Sequence, residues 1–202
     1  MVDHFPESLT TRRLHLRRLH RDDVEALCAY RSLPVVARYQ SWETFGPDDA
    51  LRLIETESAP EPNIPGTWFQ MAIVSTATGR LIGDCGLHCR QDDSRQMEFG
   101  ITLAPRQQGF GYADEAVECL LDYVFGRLNK HRVTATVDVL NRSALALCRR
   151  LGFRQEAHFV DHLWFKGQWG SEYQFAMLKH EWEKRRSPSQ LSPLMPAAND
   201  VG

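Results

Sequence analysis

The chain has 202 residues, of which 43% are hydrophobic and 25% charged, with a formal net charge of −2. That is room for one domain with a full core, and the charge is too evenly balanced for the concentrated basic surface that nucleic-acid binding needs. No apolar run approaches the ~20 residues of a membrane helix, and the opening MVDHFPESLT lacks the basic-then-apolar pattern of a signal peptide. Neither nucleic acid nor a membrane is expected as a partner, and the expected location is cytoplasmic.

The first predicted element is a strand in RRLHLRRL, where Leu14, Leu16 and Leu19 alternate imperfectly with basic residues. The basic residues between Arg12 and Arg21 read as its wet face. A helix follows, opened by Asp22 and Asp23, since unpaired N–H groups and the helix dipole favour acid there. Val24, Leu27 and Cys28 share its inner face. Residues Ser32 to Gly46 are aromatic and irregular, and Pro47, Asp48 and Asp49 open a second helix with Leu51 and Ile54 inward and Leu53 as a further inward candidate.

TWFQMAIV and RLIGDCGLH are strands joined by a turn at TATG, and RQMEFGITLA is a third. In that third strand Met97, Phe99, Ile101 and Leu103 share one parity, while Glu98, Gly100 and Thr102 share the other. A glycine inside a strand pattern points to a bulge or a close backbone approach. From Ala113 to Leu128 the apolar residues keep the spacing of one helix face. RVTATVDVL is a further strand, and a short helix with Ala144, Leu147, Cys148 and Leu151 inward ends at Gly152. AHFVDHLWF and EYQFAMLKH form a hairpin around KGQWGS. The order is mixed α/β around a partly antiparallel sheet. The domain spans residues 9–186; the Pro/Ser-rich tail 187–202 is expected to be disordered.

Five cysteines, an odd number without scaffold spacing, fit reduced thiols. CGLHC, Cys85 to Cys89, has no second Cys/His cluster nearby, so strand-buried thiols are expected and no metal site.

The chemistry centres on RQQGFGYA, Arg106 to Ala113. Glycines let a backbone approach an anion, and a helix start offers free N–H groups. A Walker loop fails because no lysine follows Gly111, and a dinucleotide fingerprint fails because Asp114 holds its third glycine position. Strand, then Arg106-x-x-Gly109-x-Gly111, then a long amphipathic helix resembles the acyl-CoA pyrophosphate loop of the GNAT acetyltransferase superfamily. VDVLNRSALALCRRLGF downstream is similar to that family's fifth strand and fourth helix. TTRRLHLRRLHRDDVEAL and GQWGSEYQFAMLKHEW resemble the branch that contains the ribosomal-protein N-terminal acetyltransferases.

The resemblance implies a mixed, largely antiparallel sheet of about seven strands flanked by about four helices, with acetyl-CoA as co-substrate. It implies that the pantetheine arm pairs with Ile101, Thr102 and Leu103, and that the pyrophosphate sits in the loop Arg106, Gln107, Gln108, Gly109, Phe110, Gly111 and Tyr112. Asn141 would contact the cofactor, cap the short helix, or do both. Glu98, on the parity opposite the apolar run, is the candidate base for an amine that is protonated at neutral pH. Many relatives carry a tyrosine as leaving-group acid where this chain has Cys148; Ser143 is the alternative here, and Cys148 reads as core. The acceptor would enter beside the first helix and the last hairpin. Tyr39, Trp42 and Trp164 are its candidate contacts, with Phe45 and Trp169 nearby and Glu43 and Asp161 adding negative charge. The first-choice acceptor is a protein or peptide N-terminus. A small amine such as a polyamine or aminoglycoside, and a silent acyl-CoA sensor, are the alternatives. A monomer or a homodimer is expected.

Overall fold

A computed structural model describes residues 4–58 and 61–186; the tail 187–202 lies outside the described residues. One eight-stranded sheet runs in the order β1-β2-β3-β4-β5-β6-β8-β7. Its strands are β1 (Ser8–Thr10), β2 (Leu14–Arg18), β3 (Trp68–Ser75), β4 (Leu81–Cys89), β5 (Gln96–Leu103), β6 (Arg132–Asp138), β7 (Arg154–Phe165) and β8 (Gln168–Leu178). All neighbours are antiparallel except β5 and β6. The strand beyond the seven expected is β1, which folds back on β2 through a tight turn where Thr11 N–H donates to the Leu14 carbonyl.

Helices cover both faces. On one face lie α1 (Val24–Arg31), α2 (Pro34–Ala37) and α3 (Pro47–Leu53), the last continued by a wide turn Ile54–Ser58. Leu27, Tyr30, Phe45, Leu53 and Ile54 pack there on Ala72 and Val74 of β3. On the other face lie α4 (Tyr112–Asp122) and α5 (Arg142–Arg150), where Val117, Leu120, Leu121, Leu145 and Leu147 pack on Leu14, Leu16, Phe69, Met71, Met97 and Phe99. Of the stripe read from Ala113 to Leu128, every residue from Ala116 on is buried, while Ala113, in the first turn, is half-buried. Its regular helix, however, stops at Asp122 and widens into a π-type turn, Tyr123–Arg127. A short α6 (Lys179–Arg185) follows β8.

The Arg12–Arg21 basic run is only partly the wet face that its pattern predicts. Arg12 and Arg21 are exposed, but Arg17 holds Asp23 through two bonds of 2.7 and 2.9 Å, Arg18 holds Glu61 at 2.9 Å and Arg13 holds Glu115 at 2.6 Å. β2 is an inner strand with chain packed along it, so these guanidiniums are half-buried and need partners.

The feature that makes the site is a break in the sheet. β5 and β6 pair in parallel only from Gln96 to Glu98, opposite Arg132 to Thr134. Beyond that rung β6 stays on β8, β5 stays on β4, and the two strands diverge. No bulge occurs at Gly100, which sits in regular register with Gly86 of β4. The expected close approach comes from a side chain: Trp68 packs over these two glycines, 3.0 Å from a Cβ built at Gly86 and 4.0 Å from one built at Gly100.

Candidate active site

The divergence opens a wedge of about 330 Å³. Phe99, Gly100 and Ile101 line one wall, Ala135 to Asp138 the other, and Asn141, Ala144, Leu147 and Cys148 of α5 close one side. Thr102 lies opposite Asp84, and Ala104 N–H donates to the Ile82 carbonyl at 2.9 Å. Even-numbered residues of β5 therefore turn their backbone groups to β4. The alternation turns those of Ile101 into the wedge, where no strand takes them, while Phe99 follows the last rung that β5 shares with β6. Of the three residues expected to pair with a pantetheine arm, Ile101 has free backbone groups on the wedge side. Thr102 faces β4, and the Leu103 carbonyl accepts from Gln108 Nε2 at 3.1 Å.

The loop after β5 has the local conformation its glycines imply. Pro105–Gln107 forms one 3-10 turn, and Gly109 and Gly111 have φ of +83° and +77°, a region other residues enter at a cost. Among the described residues, no protein acceptor takes the N–H groups of Gly109, Phe110, Gly111, Tyr112 and Ala113. The last two belong to the first turn of α4, where the helix itself supplies no partner. Phe110 and Arg106 are exposed. Arg13 braces the loop from β2: its Nη1 donates to the Phe110 carbonyl at 2.9 Å, its Nε holds Glu115, and its guanidinium lies 4.7 Å from the Tyr112 ring centre. Against the cost of burial, one bond from the Thr11 hydroxyl and two from Arg13 hold the Glu115 carboxyl below its usual range.

Asn141 does both jobs open to it. Its Oδ1 accepts from Ala144 N–H at 3.2 Å as a helix cap, and its side lines the wedge. Cys148 is both core and wall: it is 2% exposed, and burial pushes its thiol up to about 12. Ser143 is exposed and is not a wall residue. The α5 stripe that faces the wedge runs 141, 144, 147, 148, and 143 falls off it.

A second cleft, of about 470 Å³, lies on the α1–α3 side of β5 and shares Gln40, Ser41, Gly100 and Ile101 with the wedge. Trp42, Phe45 and Trp68 give it aromatic walls. Its floor is a charged network: Asp84, 1% exposed, accepts two bonds from Arg31, of 2.6 and 3.1 Å, and further bonds from the Tyr30 hydroxyl and Gln70 Nε2. Trp42 lies with its ring centre 4.3 Å from the Arg31 guanidinium, and its Nε1 donates to the Arg31 carbonyl. Lys166, at the tip of the β7–β8 hairpin, donates to the Ala37 and Trp42 carbonyls at 2.6 Å each. It ties the hairpin to the segment between α2 and α3 that passes over both clefts, from which Gln40 Nε2 donates to Thr102 Oγ1 at 3.2 Å.

Of the acceptor candidates, Tyr39 lines the wedge and Trp42 the second cleft. Trp164 does not reach either. It is 60% exposed and packs edge-on against Trp169, because the hairpin turns Leu163, Phe165 and Gly170 to the wedge and their neighbours outward. Phe45 is buried in the second cleft's wall, while Glu43 and Asp161 are exposed and line neither cleft. Glu98 also lines neither. It stands on the last rung where β5 still holds β6, opposite His88, below the opening of the wedge. Glu57, Trp68, Gln40, Arg31 and Lys166 were missed in the sequence. Trp68 carries a usable signal, lying one strand from Gly86 and two strands from Gly100.

A wedge that exposes strand backbone beside a doubly left-handed loop at a helix start suits a thioester carrier with a pyrophosphate, and the family comparison agrees. The family pattern described as Acetyltransferase (GNAT) domain matches residues 13–154, so the chain belongs to the GNAT acetyltransferases. An uncharacterised N-acetyltransferase, p20 of Bacillus licheniformis, is 31% identical over 87% of this chain and 98% of its own. The spermidine N(1)-acetyltransferase of Vibrio cholerae is 28% identical over 85% of this chain and 96% of its own. YdaF of Bacillus subtilis, whose name assigns it to ribosomal N-acetylation, is 31% identical over 52% of this chain and 57% of its own. Among solved structures, a GNAT acetyltransferase of Bacillus anthracis superposes with a TM-score of 0.78 at 24% identity, covering 86% of this chain and 99% of that one. The Vibrio cholerae spermidine N-acetyltransferase in complex with CoA and spermine superposes with a TM-score of 0.73 at 24% identity, covering 84% and 98%. The protein is an N-acetyltransferase that uses acetyl-CoA. Among the described residues no helix is long and apolar enough to cross a membrane.

Proposed function

We propose that the acceptor is a small cationic primary amine, which enters through the second cleft and meets acetyl-CoA at Gly100 and Ile101. The observation that carries this is the overlap of the two clefts at Gln40, Ser41, Gly100 and Ile101. A donor in one and an acceptor in the other would bring their reacting ends together there, which is most of what a bimolecular acyl transfer needs.

In this reading the N–H groups from Gly109 to Ala113 hold the pyrophosphate, and the backbone of Ile101 holds the pantetheine arm. When bound, acetyl-CoA supplies an activated acetyl thioester. The protein's part is to bind, to exclude water and to polarise: an N–H of β5 facing the wedge is aimed where negative charge would develop on the acetyl oxygen. Asn141 and Cys148 close the wedge behind. Burial pushes the Cys148 thiol up to about 12, which makes it a poor acid, so its part is to wall the wedge and not to protonate the departing sulfur. Glu98 and Ser143 have no position at the reacting atoms in this reading.

The aromatic walls of the second cleft suit a cation, and the spermidine acetyltransferase similarity spans most of the chain. The similarity to YdaF, over about half the chain, favours a second reading in which the acceptor is the α-amine of a protein N-terminus. CoA release, measured with polyamines, aminoglycosides and short peptides at saturating acetyl-CoA, separates them. Turnover highest with a polyamine supports the first reading and highest with a peptide the second. Acetyl-CoA binding without turnover on any amine sinks both and leaves a sensor.

A further inference from the structure

Two carboxylates, Asp49 and Glu57, line the second cleft and another, Asp84, is buried beneath it, held by the cleft residues Arg31 and Gln70; two of the three are taken. Asp84 is held by Arg31 at 2.6 Å and Asp49 by Arg52 at 2.8 Å. The third, Glu57, is half-buried, lines the cleft, and has no hydrogen bond or ion pair among the described residues. It comes from the wide turn that continues α3, whose neighbouring Glu55 is already paired with Arg21. We propose that Glu57 receives the acceptor's ammonium group and takes its proton.

The cleft is one cation short, and a cationic amine supplies it. A carboxylate in a half-dry cleft with no partner is an unfavourable arrangement for stability, so a group that enters and pairs with it gains more than it would at an exposed acid. The same cleft wall carries Gly100, Ile101 and Thr102, the strand segment along which the donor's arm lies in the proposed function on which this inference rests. The chemistry balances simply. One N–H bond of the ammonium breaks, one O–H bond forms on Glu57, and the amine keeps the electron pair it needs to attack. Glu57 then returns the proton to solvent through the cleft mouth.

The charged neighbours set how good a base it is. Burial raises the Glu57 pKa first, the Asp84 charge beneath raises it further, and Arg31 and Arg52 oppose them, with a net upward shift. Asp49, on the same wall, is engaged by Arg52. An upward shift moves a carboxylate toward the pH at which a general base works well.

The experiment is kcat/KM for spermidine against pH in wild type, Glu57→Gln, Glu57→Asp and Glu98→Gln, with acetyl-CoA affinity measured by calorimetry in each. Glu57→Gln is expected to lose a factor of ~10²–10⁴ at neutral pH, the usual range for loss of a general base. Acetyl-CoA affinity should be unchanged, which also shows the variant is folded. The loss should shrink as rising pH supplies neutral amine, and Glu57→Asp should recover part of it. A Glu57→Gln enzyme as fast as an active wild type, or a larger loss in Glu98→Gln than in Glu57→Gln, would overturn the assignment while leaving the proposed function standing. A wild type that binds acetyl-CoA and acetylates no amine would overturn the function itself, and this inference with it.

Discussion

The two clefts that meet at Gly100 are made of different materials. The wedge is walled by strand backbone and by apolar side chains, with Asp138 and Glu172 on its β6–β8 side, and the adjoining loop offers backbone N–H groups. The second cleft is walled by tryptophans and floored by a buried ion network drawn from three elements, α1, β3 and β4. A site built from backbone binds one ligand through many changes of side chain. A site built from side chains changes its ligand with a few substitutions. The arrangement is the one expected of a chain that shares its donor with a whole family and must choose its own acceptor.

The sharpest way to break this comparison is at the floor. Asp84→Ala leaves the Arg31 guanidinium, 5% exposed, without its carboxylate, and strips partners from Tyr30 and Gln70. Removing one member of a buried pair costs about 3–5 kcal/mol. Denaturant unfolding should show a loss of that size, and a loss below about 1 kcal/mol, as at a surface pair, would mean the network does not organise the second cleft.

The wedge and its loop should respond through binding instead. Gly111→Val places a β-branched residue at φ +77°, with its Cβ 3.4 Å from Arg13 Nη2. If one or two of the loop's N–H groups are displaced, acetyl-CoA should bind about tenfold more weakly or worse in calorimetric titration, while amine binding is little changed. Equal affinity in a folded variant would remove the loop from the donor site.

These two sites differ just as much in how far the sequence shows them. β5, the loop and α4 are consecutive, so their parity, two glycines and one helical stripe can be read along a single stretch of chain. The wedge wall at Asn141, Ala144, Leu147 and Cys148 is equally local. The second cleft draws on Arg31, Trp42, Phe45, Glu57, Trp68, Gln70 and Asp84, which only folding brings together. Glu57 sits in IETES, where alternate acids read as a solvated helix end, and nothing local says that it turns inward. Glu98 was favoured on parity, which gives the face of the sheet but not the rung at which β6 departs. Trp164 was favoured as an aromatic beside the last hairpin. Which of Leu163, Trp164 and Phe165 faces inward depends on a register shift between Phe159 and Leu163, which no short pattern encodes.

A smaller effect should come from the clamp between the regions. Lys166→Met removes two charge-assisted bonds to the Ala37 and Trp42 carbonyls and loosens the segment that roofs both clefts. KM for the amine should rise by about tenfold, the scale of one such bond, with kcat changed less. A fall in kcat alone would place Lys166 at the chemistry instead.

The smallest effect is on stability and has the opposite sign. A carboxylate whose pKa is raised by folding destabilises the fold at pH values above its folded pKa, and that penalty vanishes as pH falls below its unfolded pKa. Because Glu57 is shifted upward, Glu57→Gln should raise the melting temperature slightly at neutral pH, and the gain should disappear on acidification. A variant that melts lower at neutral pH would show that Glu57 has a partner in the fold.

The acceptor is revealed most directly by which nitrogen carries the acetyl group. Wild-type protein given acetyl-CoA and an equimolar mixture of spermidine and a peptide with a free N-terminus, followed by mass spectrometry of the products, should yield acetyl on a primary amine of spermidine ahead of the peptide. Acetylation confined to the peptide would contradict the small cationic acceptor, and acetylation of neither, with acetyl-CoA bound, would contradict the reading of the second cleft altogether.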